Sequence, residues 1–96
     1  MKNNDILSRI TFFKVEDDTQ TFKLANKLLN GDILCLDFNS CPLNQAERVL
    51  DFLSGVNYAT DGYVSTLSKN IYLFAIKEDY RDPDLKKFIS DYSKWY

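Results

Sequence analysis

Residues 39–62 read NSCPLNQAERVLDFLSGVNYATDG, and their reading decides the fold. Ser40 or Cys41 can cap a helix start, and Pro42 suits the first helical position, where its missing N–H is no loss. Leu43, Ala46, Val49, Leu50 and Leu53 recur at helical spacing as one apolar stripe. Glu47, Arg48 and Asp51 fall on the opposite side. Gly55 stands where a left-handed residue ends a helix, and Gly62 marks a second turn. The expectation is an amphipathic helix, stopped at Gly55, that packs on a sheet and leaves a polar face free.

Working outward, residues 33–38, ILCLDF, form a short apolar run bounded by Gly31 and Asn39, which favours a buried strand. Residues 10–15, ITFFKV, place Ile10, Phe12 and Lys14 on one face and Thr11, Phe13 and Val15 on the other. Two adjacent phenylalanines imply cover on both faces, and hence an interior strand. Between these runs, Asp17 and Gln20 have capping-box spacing and open a helix with Phe22, Ala25, Leu28 and Leu29 on one face, ended by Gly31. Strand, helix, strand is a crossover unit, so the two strands run parallel. Downstream, residues 63–67 and 71–76 are strands separated by Ser68-Lys69-Asn70, a hairpin signal in which Lys69 or Asn70 adopts positive φ. The fold class is α/β: a two-layer sandwich of a mixed β-sheet packed by α-helices, plus a C-terminal amphipathic helix. In that helix Asp82 and Pro83 form the start, and Leu85, Phe88, Ile89, Tyr92 and Trp95 or Tyr96 share a face. It serves either as a cover for the sheet or as an exposed recognition element, since Tyr and Trp are common interface anchors.

Composition narrows the function. Ninety-six residues make one domain. The net charge of −2 presents no basic footprint for nucleic acid. With no histidine in the chain, the commonest acid–base group is missing, and the acidic pairs Asp17-Asp18 and Glu78-Asp79 read as solvated element ends. No enzyme activity, no cofactor and no metal site are expected. Cys35 reads as a small buried hydrophobe and Cys41 as a structural thiol, although a helix start can lower a thiol pKa. No run is long and apolar enough to span a membrane, and the leader MKNNDILSRI lacks the apolar core of a signal peptide. A cytoplasmic location follows as an expectation.

Ala46, Arg48, the run Asp51-Phe52-Leu53-Ser54-Gly55, Tyr58-Ala59 and Gly62 follow the pattern A-x-R-x-x-D-F-L-S-G-x-x-Y-A-x-x-G. This resembles the SepF family, small bacterial and archaeal cell-division proteins that tie the tubulin-like FtsZ filament to the membrane. The likeness spans residues 22–74, with Leu24-Ala25 and Leu28 through Gly31 matching the first helix and its exit, and Asn70 through Leu73 the final hairpin strand. The tail departs from it. The resemblance implies one SepF-like domain over residues 1–96, with a polar leader at 1–9, a core at 10–76 and the C-terminal helix at 82–96. It implies an adaptor of the division site that works as a homodimer, assembles into higher polymers and binds the C-terminal tail of FtsZ. Membrane attachment would go through an anchor absent from this chain, because Ile6, Leu7 and Ile10 are too few apolar residues to hold a bilayer surface.

Within that reading, Arg48, Asp51 and Phe52 lie on or beside the helix side that the apolar stripe leaves free. Phe52 supplies an apolar anchor, and Arg48 a partner for a carboxylate or carbonyl. Tyr58 and the turns at Gly55 and Gly62 shape the rim, and Gly31 is a third structural turn. The blander alternative makes Phe52 core and pairs Arg48 with Asp51 or Glu47. A different function class, a small-ligand-binding regulatory α/β domain, wants backbone amides freed by glycines around a ligand. Gly31, Gly55 and Gly62 are the only glycines in the chain, and each has a structural role as a turn or cap.

Overall fold

The run at residues 33–38 becomes the centre of the molecule. In the computed structural model, which describes residues 5–93, Ile33–Asp37 forms a strand (β2) whose first four residues are buried. It pairs in parallel with Ile10–Lys14 (β1), in register from Ile10 opposite Ile33 to Lys14 opposite Asp37. Its other neighbour is antiparallel Ile71–Ile76 (β4), which in turn pairs antiparallel with Gly62–Ser68 (β3). The sheet order is β1-β2-β4-β3.

β1 is therefore an edge strand, not an interior one. The expected facing is right: Phe13 packs toward one core and Phe12 meets Phe88 on the other side, ring centroids 6.5 Å apart. Phe12 nevertheless stays 63% exposed, and the facing of two side chains says nothing about a neighbour on each edge of the strand.

One face carries Thr21–Leu29 (α1) and Leu43–Ala59 (α2). Leu24, Leu28, Leu34, Leu36, Leu53 and Phe74 are fully buried between these helices and the sheet. Each such side chain stabilises the fold by about 1.5–3 kcal/mol relative to exposure. The stripe of α1 is Leu24, Ala25 and Leu28; Phe22 and Leu29, expected on it, point out to solvent. Asp17 does cap, but it caps the 3-10 turn Asp18–Gln20, while Gln20 precedes α1 without a side-chain bond. Gly31 closes α1 as expected, at φ +88°. Its N–H donates to Leu28 O and the Asp32 N–H to Lys27 O, both at 3.0 Å, which satisfies the last carbonyls.

α2 departs from its expected limits at both ends. Pro42 is the capping residue, with extended ψ of 139°, and neither Ser40 nor Cys41 caps. Leu43 starts the helix and stays exposed. Gly55 lies inside the helix on its outer side, so it is not the stop. The stripe runs on through Val56 and buried Asn57, and that packing outweighs the roughly 1 kcal/mol cost of an interior glycine. The turn is made instead at Asp61, a non-glycine residue with φ 59°. In the hairpin the loop is Lys69-Asn70, with positive φ at neither residue; a bulge between Thr66 and Ser68 adjusts the register.

The second sheet face is covered too. Lys77–Tyr80 (α3), which sequence reading left without an element, leads into Pro83–Ser93 (α4). Asp82 Oδ1 accepts from the Asp84 N–H at 2.8 Å, the expected helix start. Leu85 is buried among Ile6, Ile10, Ile33, Cys35, Leu67, Leu73 and Ala75, with Phe88, Ile89 and Tyr92 packed around them. The helix is thus a cover. Trp95 and Tyr96, assigned to the same stripe, lie outside the described residues. Two anchors hold this side. Arg9 meets Asp79 in two N–H···O contacts of 3.2 Å each, and the Tyr80 hydroxyl donates to Leu73 O while accepting from Ser65 Oγ, both at 3.0 Å. Burial pushes the Tyr80 phenol up to about 12, which keeps that donor protonated.

Candidate peptide-docking site

Where the 3-10 turn and the start of α1 meet α2, the surface opens into a shallow groove of about 580 Å³. It is lined by Asp18, Thr21, Phe22, Arg48, Asp51 and Phe52. Phe52 follows Arg48 by four residues, so both project from one side of α2. Phe22 comes to meet Phe52 because it sits off the buried stripe of its own helix. The two rings pack edge to face with centroids 5.5 Å apart, yet remain 73% and 43% exposed respectively. Such a pair contributes about 0.5–1.5 kcal/mol and still offers an open aromatic surface.

Beside the rings, Arg48 Nη2 donates to Asp18 Oδ2 at 2.9 Å. Both side chains are well exposed, which limits the pair to less than about 1 kcal/mol. The backbone of Asp18 is held by other bonds. Its N–H donates to Gln45 Oε1 at 3.0 Å, and its carbonyl accepts from Thr21 Oγ1 at 2.7 Å. Asp17 accepts from the Thr19 N–H at 2.9 Å, and its bonds to Thr19 hold its own carboxyl below the usual range.

The structure thus unites three of the four expected residues. Phe52 is neither core nor free, and Arg48 pairs with Asp18 thirty positions upstream, not with Asp51 or Glu47. Tyr58, 84% exposed, does not line the groove: seven residues past Asp51, it shares that residue's angle round the helix but lies about two turns further along it, while Leu43 and Leu50 mark the opposite flank. Gly62 starts β3 under Asn57, and Gly55 is mid-helix. Asp18, Thr21 and Phe22 were missed. A phenylalanine out of phase with the Leu24/Ala25/Leu28 stripe is the signal that could have found Phe22.

On that opposite flank lies a second groove, also about 580 Å³, whose lining includes Phe38, Cys41, Leu43, Leu50, Lys69 and Tyr72. Cys41 gains no nucleophilic character there. Burial, and then Asp17 and Asp18, raise its pKa, contrary to the lowering a helix start can produce. Burial likewise pushes Cys35 up to about 11, with Asp37 adding to the effect. Among the described residues, no set of His, Cys, Asp or Glu side chains is arranged to hold a metal ion. No described helix is long and apolar enough to cross a membrane.

The class the fold defines is a small mixed-sheet α/β domain, here with an exposed aromatic and charged groove beside its organising helix. The family model for the cell division protein SepF matches residues 10–77. The chain is 34% identical over 67 residues to a cell division protein SepF of Thermoanaerobacter sp. (strain X514), covering 70% of this chain and 49% of that one. The SepF of Syntrophomonas wolfei is 34% identical over 73 residues, 72% of this chain and 51% of its own. A solved SepF-like protein from Archaeoglobus fulgidus shares the fold, with a TM-score of 0.65 at 16% identity over 70% of this chain and 83% of that one. The chain belongs to the SepF family of cell-division proteins. It spans about half the length of the curated relatives it matches.

Proposed function

We propose that this domain is a division-site adaptor that binds the C-terminal tail of FtsZ in the groove between α1 and α2. The supporting observation is the exposed Phe22–Phe52 pair beside Arg48: an apolar seat next to a cation. Binding sites for short peptides concentrate their energy in such aromatic and arginine anchors. Arg48→Ala should weaken tail binding by roughly 1–3 kcal/mol, the range for a lost charge-assisted bond. Its melting temperature should barely move, because its ion pair is exposed. Calorimetric titration and a thermal melt of the same variant check both halves; wild-type affinity, or an unfolded variant, rules the site out.

The same reading includes a homodimer. Leu43 and Tyr58 on α2 and Val64 on strand β3 are exposed apolar side chains that a second copy would cover. Light scattering at tens of micromolar should report twice the chain mass of 11.2 kDa. A particle of single-chain mass sinks the dimer.

A further inference from the structure

We propose that Asp18 occupies, within the free chain, the position on Arg48 that an acidic side chain of the bound peptide takes over. The inference rests on the reading above and specifies the ligand: a linear peptide with an aspartate or glutamate next to a bulky apolar residue.

Four features of the groove carry it. Arg48 already holds a carboxylate at its lip, 2.9 Å away, so the geometry for receiving one exists. That carboxylate is weakly held, because both side chains are exposed. Its removal leaves the turn in place, since Gln45 and Thr21 fix the Asp18 backbone independently of Arg48. Finally, Asp51 lines the same groove without an ion pair among the described residues. Arg48 is thus the cation an incoming acid meets, and Asp18 and Asp51 oppose any acid that misses it. The Phe22 and Phe52 rings beside it seat the apolar neighbour. The groove is shallow and open, so a chain can pass through it with an acidic side chain on Arg48.

Competition of this kind has a signature: deleting the competitor strengthens binding. Fluorescence anisotropy with a synthetic FtsZ tail peptide, amidated at its C-terminus so that only side chains carry acid, reads it directly. Asp18→Asn should bind the peptide roughly two- to fivefold tighter than wild type, the factor released by freeing an exposed ion pair. Asp18→Ala should show the same gain. In an Arg48→Ala background the gain from Asp18→Asn should shrink to the small part that comes from relieved charge repulsion, since no cation remains to compete for. Equal or weaker binding by both Asp18 variants overturns the proposal while the docking reading stands. A gain that persists undiminished without Arg48 also overturns it, because it then reflects overall charge alone. Binding by neither wild type nor variants removes the docking reading itself.

Discussion

Gly62→Ala should lower the melting temperature by about 8 °C or more. Strand β3 begins at Gly62, opposite Ile76, and the conformation there is not the difficulty. Space is. A Cβ would collide with the Asn57 side chain and stand 2.8 Å from the Ala75 carbonyl oxygen. Neither neighbour can yield cheaply. Ala75 O is backbone of the adjacent strand, and Asn57 is 1% exposed, with its Nδ2 donating to Tyr63 O at 2.7 Å. Among the described residues, Asn57 Oδ1 is the one buried side-chain polar atom without a conventional partner, and the glycine hydrogen in place of a Cβ is what faces it. Either the Asn57 bond breaks or β3 shifts off β4, at about 2–4 kcal/mol for overpacking plus a lost bond. In a domain of this size each kcal/mol is worth about 4–8 °C. Differential scanning calorimetry measures it, and Asn57→Ala should remove the part of the cost due to Asn57 while the close approach to the Ala75 carbonyl remains. A melt within a few degrees of wild type would show that the packing here is loose.

Arg9→Ala should cost about 2 kcal/mol, more than Asp79→Ala, although the two remove the same ion pair. The asymmetry comes from burial. The Asp79 side chain is 10% exposed, that of Arg9 49%. Removing the arginine strands a carboxylate in a nearly dry site, where an unpaired charge costs at least 1–3 kcal/mol. Removing the aspartate lets the guanidinium turn into water. Arg9 also donates to Gly31 O at 3.3 Å, so it ties the approach to β1, the exit from α1 and α3 together. Denaturant unfolding of both variants should rank them in that order. Arg9→Met with Asp79→Leu should recover most of the loss, since apolar replacements of a buried pair are often neutral. An equal or reversed ranking would mean that the pair is effectively solvated.

The sheet and its two crossing helices were legible because their signals are local. Continuous burial in β2, the i, i+3, i+4 stripe of α2 and the left-handed Gly31 each lie within a few residues. Errors arose where a local signal met a tertiary decision. Gly55 is a strong stop signal, but the sheet beneath it continues to Val56 and Asn57, and a buried asparagine does not register as part of an apolar stripe. Leu43 fits the stripe by spacing yet stands at the first position of α2 and stays exposed. β1 shows its two faces in its sequence but not its open edge. The groove was half legible: Arg48, Asp51 and Phe52 share one helix face in the sequence. Their partners Asp18 and Phe22 lie thirty positions upstream and arrive only because α1 packs alongside α2. Tyr58 shares its angle round the helix with Asp51 but lies about two turns beyond the groove.

The central claim is that a peptide occupies the groove between α1 and α2. A ¹H–¹⁵N titration of the labelled domain with the FtsZ tail peptide tests it most directly. The account predicts progressive shifts at Asp18, Phe22, Arg48, Asp51 and Phe52, with Leu43, Leu50 and Tyr72 on the opposite flank unmoved. Shifts confined to that opposite flank, or no shifts at saturating peptide, would contradict it.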